Sequence, residues 1–168
     1  MKKNAFTLIE LLISITILSI VMLFLYKSYA DLNKTNKLYE KEVLKLQHIS
    51  RIKQTLYLDL LLATKETLRV SHPDVKFDFV SFTTNHSLHR LVKPYVAYIV
   101  KENILYRLES NKAIQSAEIS REQPFIIDKI GSVKKFELYT PKEKEGNVIM
   151  EAKLKNLASI ILKVKVLN

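Results

Sequence analysis

The sequence contains no cysteine and no tryptophan, and its two glycines are Gly131 and Gly146. Without cysteine the chain forms no disulfide and no thiolate metal site, and it has no cysteine nucleophile. Two glycines cannot make a glycine-rich phosphate loop, so the common nucleotide-binding motifs are excluded. The 168 residues are 48% hydrophobic, which is enough for a folded core and excludes general disorder.

One long apolar run lies near the N-terminus. Residues 6–26 read FTLIELLISITILSIVMLFLY and contain a single charged residue, Glu10. At about 1.5 Å per residue, a helix of this length covers the roughly 30 Å hydrocarbon core of a bilayer. The run therefore predicts one membrane-spanning helix, and Lys2 and Lys3 place its start on the cytoplasmic side.

Two simpler interpretations of the apolar run stay open. One is a plain signal-anchor of an unrelated single-pass protein with a β-rich domain. The other is a secretory signal peptide cut after Ala30, because Ser28 and Ala30 are small residues at the expected places. Glu10 argues against both, since an acid in an apolar span costs roughly 2.5–3.5 kcal/mol on insertion scales and is usually functional.

Residues 5–13, AFTLIELLI, resemble the class III signal of type IV pilins and pseudopilins. The resemblance implies that prepilin peptidase cuts between Ala5 and Phe6, that the new Phe6 amine is N-methylated and that Glu10 is the fifth mature residue. The family usually has glycine before the cut, where this chain has Ala5. In a staggered filament Glu10 would pair with the Phe6 amine of the next subunit, which lowers the cost of two isolated buried ions.

A second helical pattern follows the apolar run. There is neither glycine nor proline between Tyr26 and Pro73, and apolar residues recur every three or four positions from Tyr39 onward. This spacing predicts that the helix continues as an amphipathic helix over residues 27–70, packs on a sheet and ends before Pro73. The predicted stripe consists of Leu32, Tyr39, Val43, Leu46, Ile49, Ile52, Leu56, Leu60 and Ala63.

Beyond Pro73 the pattern is that of β-strands, rich in aromatic and β-branched residues. The predicted strands are residues 76–83, 95–101, 104–109, 125–130, 133–139, 148–154 and 160–167. Glu102-Asn103 predicts a two-residue hairpin loop, and Gly131-Ser132 and Gly146 predict turns.

The predicted fold class is α+β: a long N-terminal helix packed on a C-terminal antiparallel β-sheet domain. The predicted division is a cleaved leader (1–5), a membrane-spanning and assembly helix (6–26), its amphipathic continuation (27–70) and a β-rich globular domain (71–168).

Three short segments of the tail resemble the J-type minor pseudopilins of type II secretion systems. They are residues 56–60, 95–100 and 105–107, which read LYLDL, YVAYIV and LYR. The resemblance implies a structural subunit at the tip of a pseudopilus that works with other minor and major pseudopilins. It also implies a single-pass protein of the bacterial inner membrane with a periplasmic C-terminal domain. The same outline fits a minor pilin of a type IV pilus or of a competence DNA-uptake pilus.

Few residues indicate chemistry. His86 and His89 have the spacing of metal ligands on a helix but lie in a predicted loop, so we expect surface polar residues and no metal site. His48 is expected to be solvated. Asp59 has no second carboxylate at useful spacing, and we expect it to bond Arg69 or a turn amide. No serine lies in a nucleophile motif, so we predict no enzyme, no catalytic residue and no cofactor.

The chain is basic, with a net charge of +10. Lysines cluster toward the C-terminus, at Lys134, Lys135, Lys142, Lys144, Lys153, Lys155, Lys163 and Lys165. With Phe136 and Tyr139 among them they could form a phosphate track with stacking aromatics. Their alternation along predicted strands favours a solvated sheet face instead. Nucleic acid is therefore a candidate partner, but not the favoured one.

Overall fold

The structure, a computed structural model, describes residues 7–114, 125–141, 146–155 and 159–166. These residues form one long α-helix, a short 3-10 helix and seven β-strands. The chain divides into two compact units, Met1–His48 and Ile49–Asn168. One long N-terminal helix packed on an antiparallel sheet confirms the predicted α+β class. The packing involves the C-terminal end of the helix, which lies in the second unit.

Helix α1 is Leu8–Leu61. By length and composition its N-terminal part is apolar and long enough to cross a membrane, and none of that stretch is buried. Farther along the predicted stripe, Tyr39 and Val43 are exposed, and burial begins at Ile52. The amphipathic stripe therefore meets the sheet only in the last turns of the helix, where Ile52 and Leu56 enter the core.

The end of α1 corrects the sequence prediction. The helix ends at Leu61 and not near residue 70, and a 3-10 helix, Lys65–Thr67, and strand β1 follow it. Neither glycine nor proline ends it. Instead, the Leu62 carbonyl accepts a hydrogen bond from the Asn85 amide at 3.1 Å, and the Thr64 amide donates to the Thr83 carbonyl at 2.8 Å. The carbonyls at the end of a helix need such donors, and here Asn85, in a distant loop, supplies one.

The strands form one sheet in which every strand pairs antiparallel with its neighbours in the chain. Their bounds are β1 Arg69–Ser71, β2 Phe79–Thr83, β3 Tyr95–Lys101, β4 Ile104–Ser110, β5 Ile126–Tyr139, β6 Asn147–Leu154 and β7 Ser159–Lys165. All the predicted strand regions contain a strand, but the predicted strand over 76–83 begins only at Phe79. Residues 142–145 and 167, on which parts of the turn and strand predictions fall, lie outside the described residues.

The prediction of two strands separated by a turn at Gly131-Ser132 is wrong, because both segments belong to the single strand β5. The first part of β5 pairs with β4, as far as Ser132 opposite Ile104. The second part pairs with β6, beginning with Val133 opposite Leu154. The chain stays extended at Gly131 because it changes neighbours there without reversing direction.

The hairpin between β3 and β4 is confirmed. Glu102 and Asn103 have φ values of 53° and 60°, the left-handed conformation that a two-residue type I′ turn requires. Gly146, before β6, also has a positive φ of 82°. Both sites need this conformation, which asparagine and glycine adopt at low cost.

The core lies on both faces of the sheet. On the helix side, Leu56 and Leu60 are fully buried among residues such as Tyr98, Phe136 and Met150. Burying a leucine of this kind stabilises the fold by about 1.5–3 kcal/mol. A smaller cluster on the other face contains Phe79, Ala97, Ile99, Leu108 and Ile114.

Candidate functional site

The N-terminal turn of α1 is held by Thr7 and Glu10. The Glu10 carboxylate accepts hydrogen bonds from the Thr7 amide and from the Thr7 hydroxyl, both at 2.9 Å, while the Glu10 amide donates to the Thr7 Oγ1 at 3.4 Å. This reciprocal pattern is a capping box, which satisfies amides that lack helical partners. The sequence analysis did not predict this capping box, although a threonine followed three residues later by a glutamate is its usual signature. Ala5 and Phe6, the predicted cleavage and methylation residues, lie outside the described residues.

A buried charged network lies where α1 meets the sheet. The Asp59 carboxylate, near the end of α1, faces Arg107 on β4, with Oδ2 at 2.7 Å from Nε and Oδ1 at 3.2 Å from Nη2. Both side chains are fully buried. The prediction that Asp59 bonds Arg69 or a turn amide is wrong, because its carboxylate bonds Arg107 instead. These two hydrogen bonds form the bidentate pair that a planar guanidinium favours. They join the helix to the middle of the sheet.

Tyr98 on β3 completes the surroundings of Asp59. Its hydroxyl donates to Asp59 Oδ2 at 2.5 Å, and its ring lies between Phe82 and Phe136, with centroids 6.3 Å and 5.9 Å away. Burial, together with the negative charge of Asp59, raises the pKa of Tyr98 well above its ordinary value. Tyr98 therefore remains a neutral hydrogen-bond donor. Burial opposes the charge of Arg107, but the bonds to Asp59 prevail and raise the pKa of the guanidinium.

Glu109 extends the network from Arg107 to a loop. Its carboxylate accepts hydrogen bonds from Arg107 Nη1, from the Ser87 hydroxyl and, at 3.1 Å, from the Leu88 amide. Burial favours the protonated acid, but the bonds from Arg107 and Ser87 outweigh it and lower the pKa of Glu109. The acid is thus held ionised by Arg107 and by the loop that it anchors.

Residues 84–94, called the anchored loop below, connect β2 to β3. The Thr84 hydroxyl donates to the Asp59 carbonyl at 3.1 Å, and His86 Nδ1 lies 2.5 Å from Asp59 Oδ1. At the other side of the loop, His89 Nε2 lies 2.9 Å from Asp128 Oδ2. Both histidines, expected to be surface polar residues, are half-buried and bonded to carboxylates, with 19% of the His86 side chain and 31% of the His89 side chain exposed. His48, in contrast, is exposed as expected.

His89, Glu109 and Asp128 bring three potential metal-ligand atoms within 4.8 Å of one another. The sequence could not show this group, because the three residues come from a loop and two strands. Arg107 lies in the same group, bonded to Glu109 and with Nη1 at 3.6 Å from Asp128. A guanidinium is always charged and would repel a metal ion at that distance. The arrangement therefore fits an arginine-centred ion network better than a metal site.

Acidic side chains lie among the basic residues of the C-terminal strands. Lys135 Nζ lies 2.9 Å from Glu137 and 2.9 Å from Glu151, and these hydrogen bonds raise its pKa. Lys134 is exposed next to it, at a β-bulge that leaves both lysines between the buried Val133 and Phe136. In the lysine pair that looked most like a phosphate contact, Lys135 is thus already neutralised by two glutamates.

Arg107, Glu109 and Asp128 are the residues that sequence reasoning missed. A signal was present: Arg107 and Glu109 are charged residues at alternate positions of an apolar strand, so they lie on one face of it. The pairing of Arg107 with Asp59 could not be read from the sequence, because the contact joins residues 48 positions apart.

A model of the prokaryotic N-terminal methylation motif matches residues 1–26. Comparisons with curated proteins and with solved structures found no match. The motif supports a type IV pilin-like protein or pseudopilin, a structural subunit that is processed by prepilin peptidase and assembles with other pilins. The apolar start of α1 is consistent with membrane anchoring of such a subunit.

Proposed function

We propose that this protein is a minor pseudopilin or minor pilin that joins the tip of a type II secretion pseudopilus. Prepilin peptidase removes residues 1–5, Phe6 becomes the N-methylated terminus, and Glu10 acts in assembly. The chain is anchored once in the bacterial inner membrane with its C-terminal domain in the periplasm, and it is extracted into the pseudopilus. Its partners are prepilin peptidase and the other minor and major subunits.

The methylation motif at residues 1–26 carries this proposal. The matched residues include the apolar start of α1, whose side chains are exposed and suit burial in lipid or between subunits. The J-type assignment has weaker support of its own. The segments that resemble J-type pseudopilins contribute Asp59, Tyr98 and Arg107, and these three side chains meet in one buried network.

An alternative role is that of a minor pilin in a type IV pilus or a competence DNA-uptake pilus. The observation in its favour is the net charge of +10. The pairing of Lys135 with two glutamates weakens it. We therefore rank it second.

The deciding experiment is an intact mass of the full chain purified from membranes of a bacterium that has prepilin peptidase. We expect a protein that begins at N-methylated Phe6. The same host without the peptidase should give the uncut chain, as should an Ala5→Leu variant, whose larger side chain obstructs the cut. Ala5→Gly, which restores the usual residue of the family, should be cut at least as completely as the parent. An intact Met1 in the peptidase-containing host, or a start at Asp31, would contradict the proposal.

A further inference from the structure

The last strand, β7, forms one edge of the sheet, and no described strand pairs with its outer side. It is a regular strand of seven residues, whereas β1 at the other edge has three. Its side chains alternate strictly, with Ile160, Leu162 and Val164 buried and the residues between them exposed. A long, regular edge offers a row of backbone groups to another strand.

The backbone groups that face outward belong to the residues with exposed side chains. The Val166 amide donates to the Gly146 carbonyl at 2.8 Å, so these two residues form a hydrogen-bonded pair between β7 and β6. In an antiparallel ladder such pairs alternate with pairs that share no hydrogen bond. In the β6–β7 register, the residues that turn their amides and carbonyls outward are therefore Ile161, Lys163 and Lys165, together with Ser159 at the start of the strand.

The exposed side chains beside this edge give it a positive charge. Lys163 lies opposite Ile149 and Lys165 opposite Asn147, so neither lysine faces an acid on β6. Glu151, opposite Ile161, already holds Lys135 at 2.9 Å. In the described residues the acids of this face are thus engaged, and no ion pair of Lys163 or Lys165 is present.

A second copy of the chain fits this edge poorly. Antiparallel pairing of two β7 strands about Lys163 would set lysine against lysine, which is destabilising for directly opposed like charges. An extended segment with acidic residues at alternate positions has the opposite effect, since each carboxylate would meet a lysine while the backbones form a ladder. Adding a strand to an exposed sheet edge is a common way to bind a peptide.

We propose that the outer edge of β7 binds an extended acidic segment of a partner protein as an additional strand of the sheet. Ile161, Lys163 and Lys165 supply the backbone hydrogen bonds, and the two lysines select acidic side chains. The lysines also discourage pairing between copies of this chain. The inference depends on the sheet alone and not on the proposed pilin role.

The test uses the full chain in detergent micelles and a fluorescent seven-residue peptide in which glutamate alternates with valine. We expect saturable binding by anisotropy. Hydrogen exchange should slow at the amides of Ile161, Lys163 and Lys165 and stay unchanged at Leu162, whose amide already bonds within the sheet. A peptide with lysine in place of glutamate should not bind. No saturable binding, or equal binding of the lysine peptide, would overturn the proposal.

Two variants distinguish the contribution of the backbone hydrogen bonds to peptide binding from that of the lysine charge. Ile161→Pro removes an outward amide without removing a bond to β6, so the strand spectrum should persist while peptide binding is lost. Lys163→Glu should weaken binding at least about fivefold, because it turns an attractive cross-strand pair into a repulsive one. Lys101→Glu, the same charge change at the exposed end of β3, is the matched control and should leave binding unchanged. If Ile161→Pro does not fold, the Lys163→Glu variant provides the test. Unaltered peptide binding by Lys163→Glu would refute the proposal that the lysines select acidic side chains.

Discussion

Glu10 has two separable roles at the residue scale. The structure shows one of them, the cap that joins its carboxylate to Thr7. The other, pairing with the Phe6 amine of a neighbouring subunit, is a proposal that follows from the cost of an acid in an apolar span. A cap alone needs a hydrogen-bond acceptor, whereas an ion pair needs the charge.

Glu10→Gln keeps an acceptor for the cap and removes the charge, so it distinguishes the two roles. We expect the variant to insert in the membrane and to lose co-purification with other pilin-like subunits. Thr7→Ala is the matched control: it removes the cap, at a cost of about 0.5–2 kcal/mol in helix stability, and leaves the charge. It should co-purify as the parent does. Co-purification of Glu10→Gln at the parental level would mean that the carboxylate acts only as a cap.

Arg107 is the second residue on which much depends, because it balances Asp59 and Glu109 inside the protein. Removing one member of a buried ion pair leaves an uncompensated charge and typically costs about 3–5 kcal/mol. We expect this loss for Arg107→Met, measured by denaturant unfolding of the full chain in detergent and followed by circular dichroism. Lys101→Met, which removes an exposed cation, should change the stability by less than about 0.5 kcal/mol. A small effect of Arg107→Met would show that the network contributes little to folding.

The lowered pKa of Glu109 gives the same network a dependence on pH. Its ordinary value is 4.5, and the folded value is lower because Arg107 and Ser87 bond the ionised form. The stability that Glu109 contributes is therefore complete above pH 4.5 and is lost as the pH falls through the folded-state pKa. We expect Glu109→Gln to be less stable than the parent at neutral pH and to lose less stability on acidification. Parallel stability curves for the two proteins below pH 4.5 would contradict this.

At the scale of elements, Gly131 is the position at which the sequence predicted a turn and the structure has a continuous strand. A Cβ there would lie 3.7 Å from Leu154 Cδ2 and 4.0 Å from Ile52 Cδ1, which are ordinary contacts. Since β5 is extended at this position, Gly131→Ala should be tolerated and should stabilise by up to about 1 kcal/mol, through the unfolded state. Gly146→Ala, at a positive φ, should destabilise instead. Destabilisation by Gly131→Ala, measured by thermal unfolding, would favour the turn that the sequence suggested.

The sequence was informative where local chemistry determines structure. Alternation predicted the inward face of β7, and Glu102-Asn103 predicted the hairpin between β3 and β4. The sequence was misleading where contacts between residues far apart in the chain determine the structure. α1 ends at Leu61, next to the point where the Asn85 amide donates a hydrogen bond to the Leu62 carbonyl. No residue near Leu61 indicates that bond in the sequence. The charged network likewise joins a helix, a loop and three strands, so only its separate members were visible.

At the scale of the whole molecule, the net charge of +10 raises the question of nucleic acid. We expect the full chain to bind DNA only weakly and without sequence preference at about 0.15 M salt. Filter binding across salt concentrations should show a log–log slope near −0.7 to −0.9 per phosphate contact, with few contacts. Submicromolar affinity at that salt, lost on changing Lys134 and Lys135 to glutamate but kept in Lys101→Glu, would move the DNA-uptake role to first place.

The order of the strands has a consequence for how the domain folds. Because each strand pairs with the next strand of the chain, most of the sheet can form by closing short loops, which favours fast folding. Several side-chain bonds do not fit this sequential scheme: for example, Asp59 meets Arg107 across 48 positions, and Asp78 accepts from the Leu138 amide across 60. Closing such distances costs more chain entropy, so these bonds form late. A nascent chain should therefore have most of its sheet before its buried carboxylates find their partners.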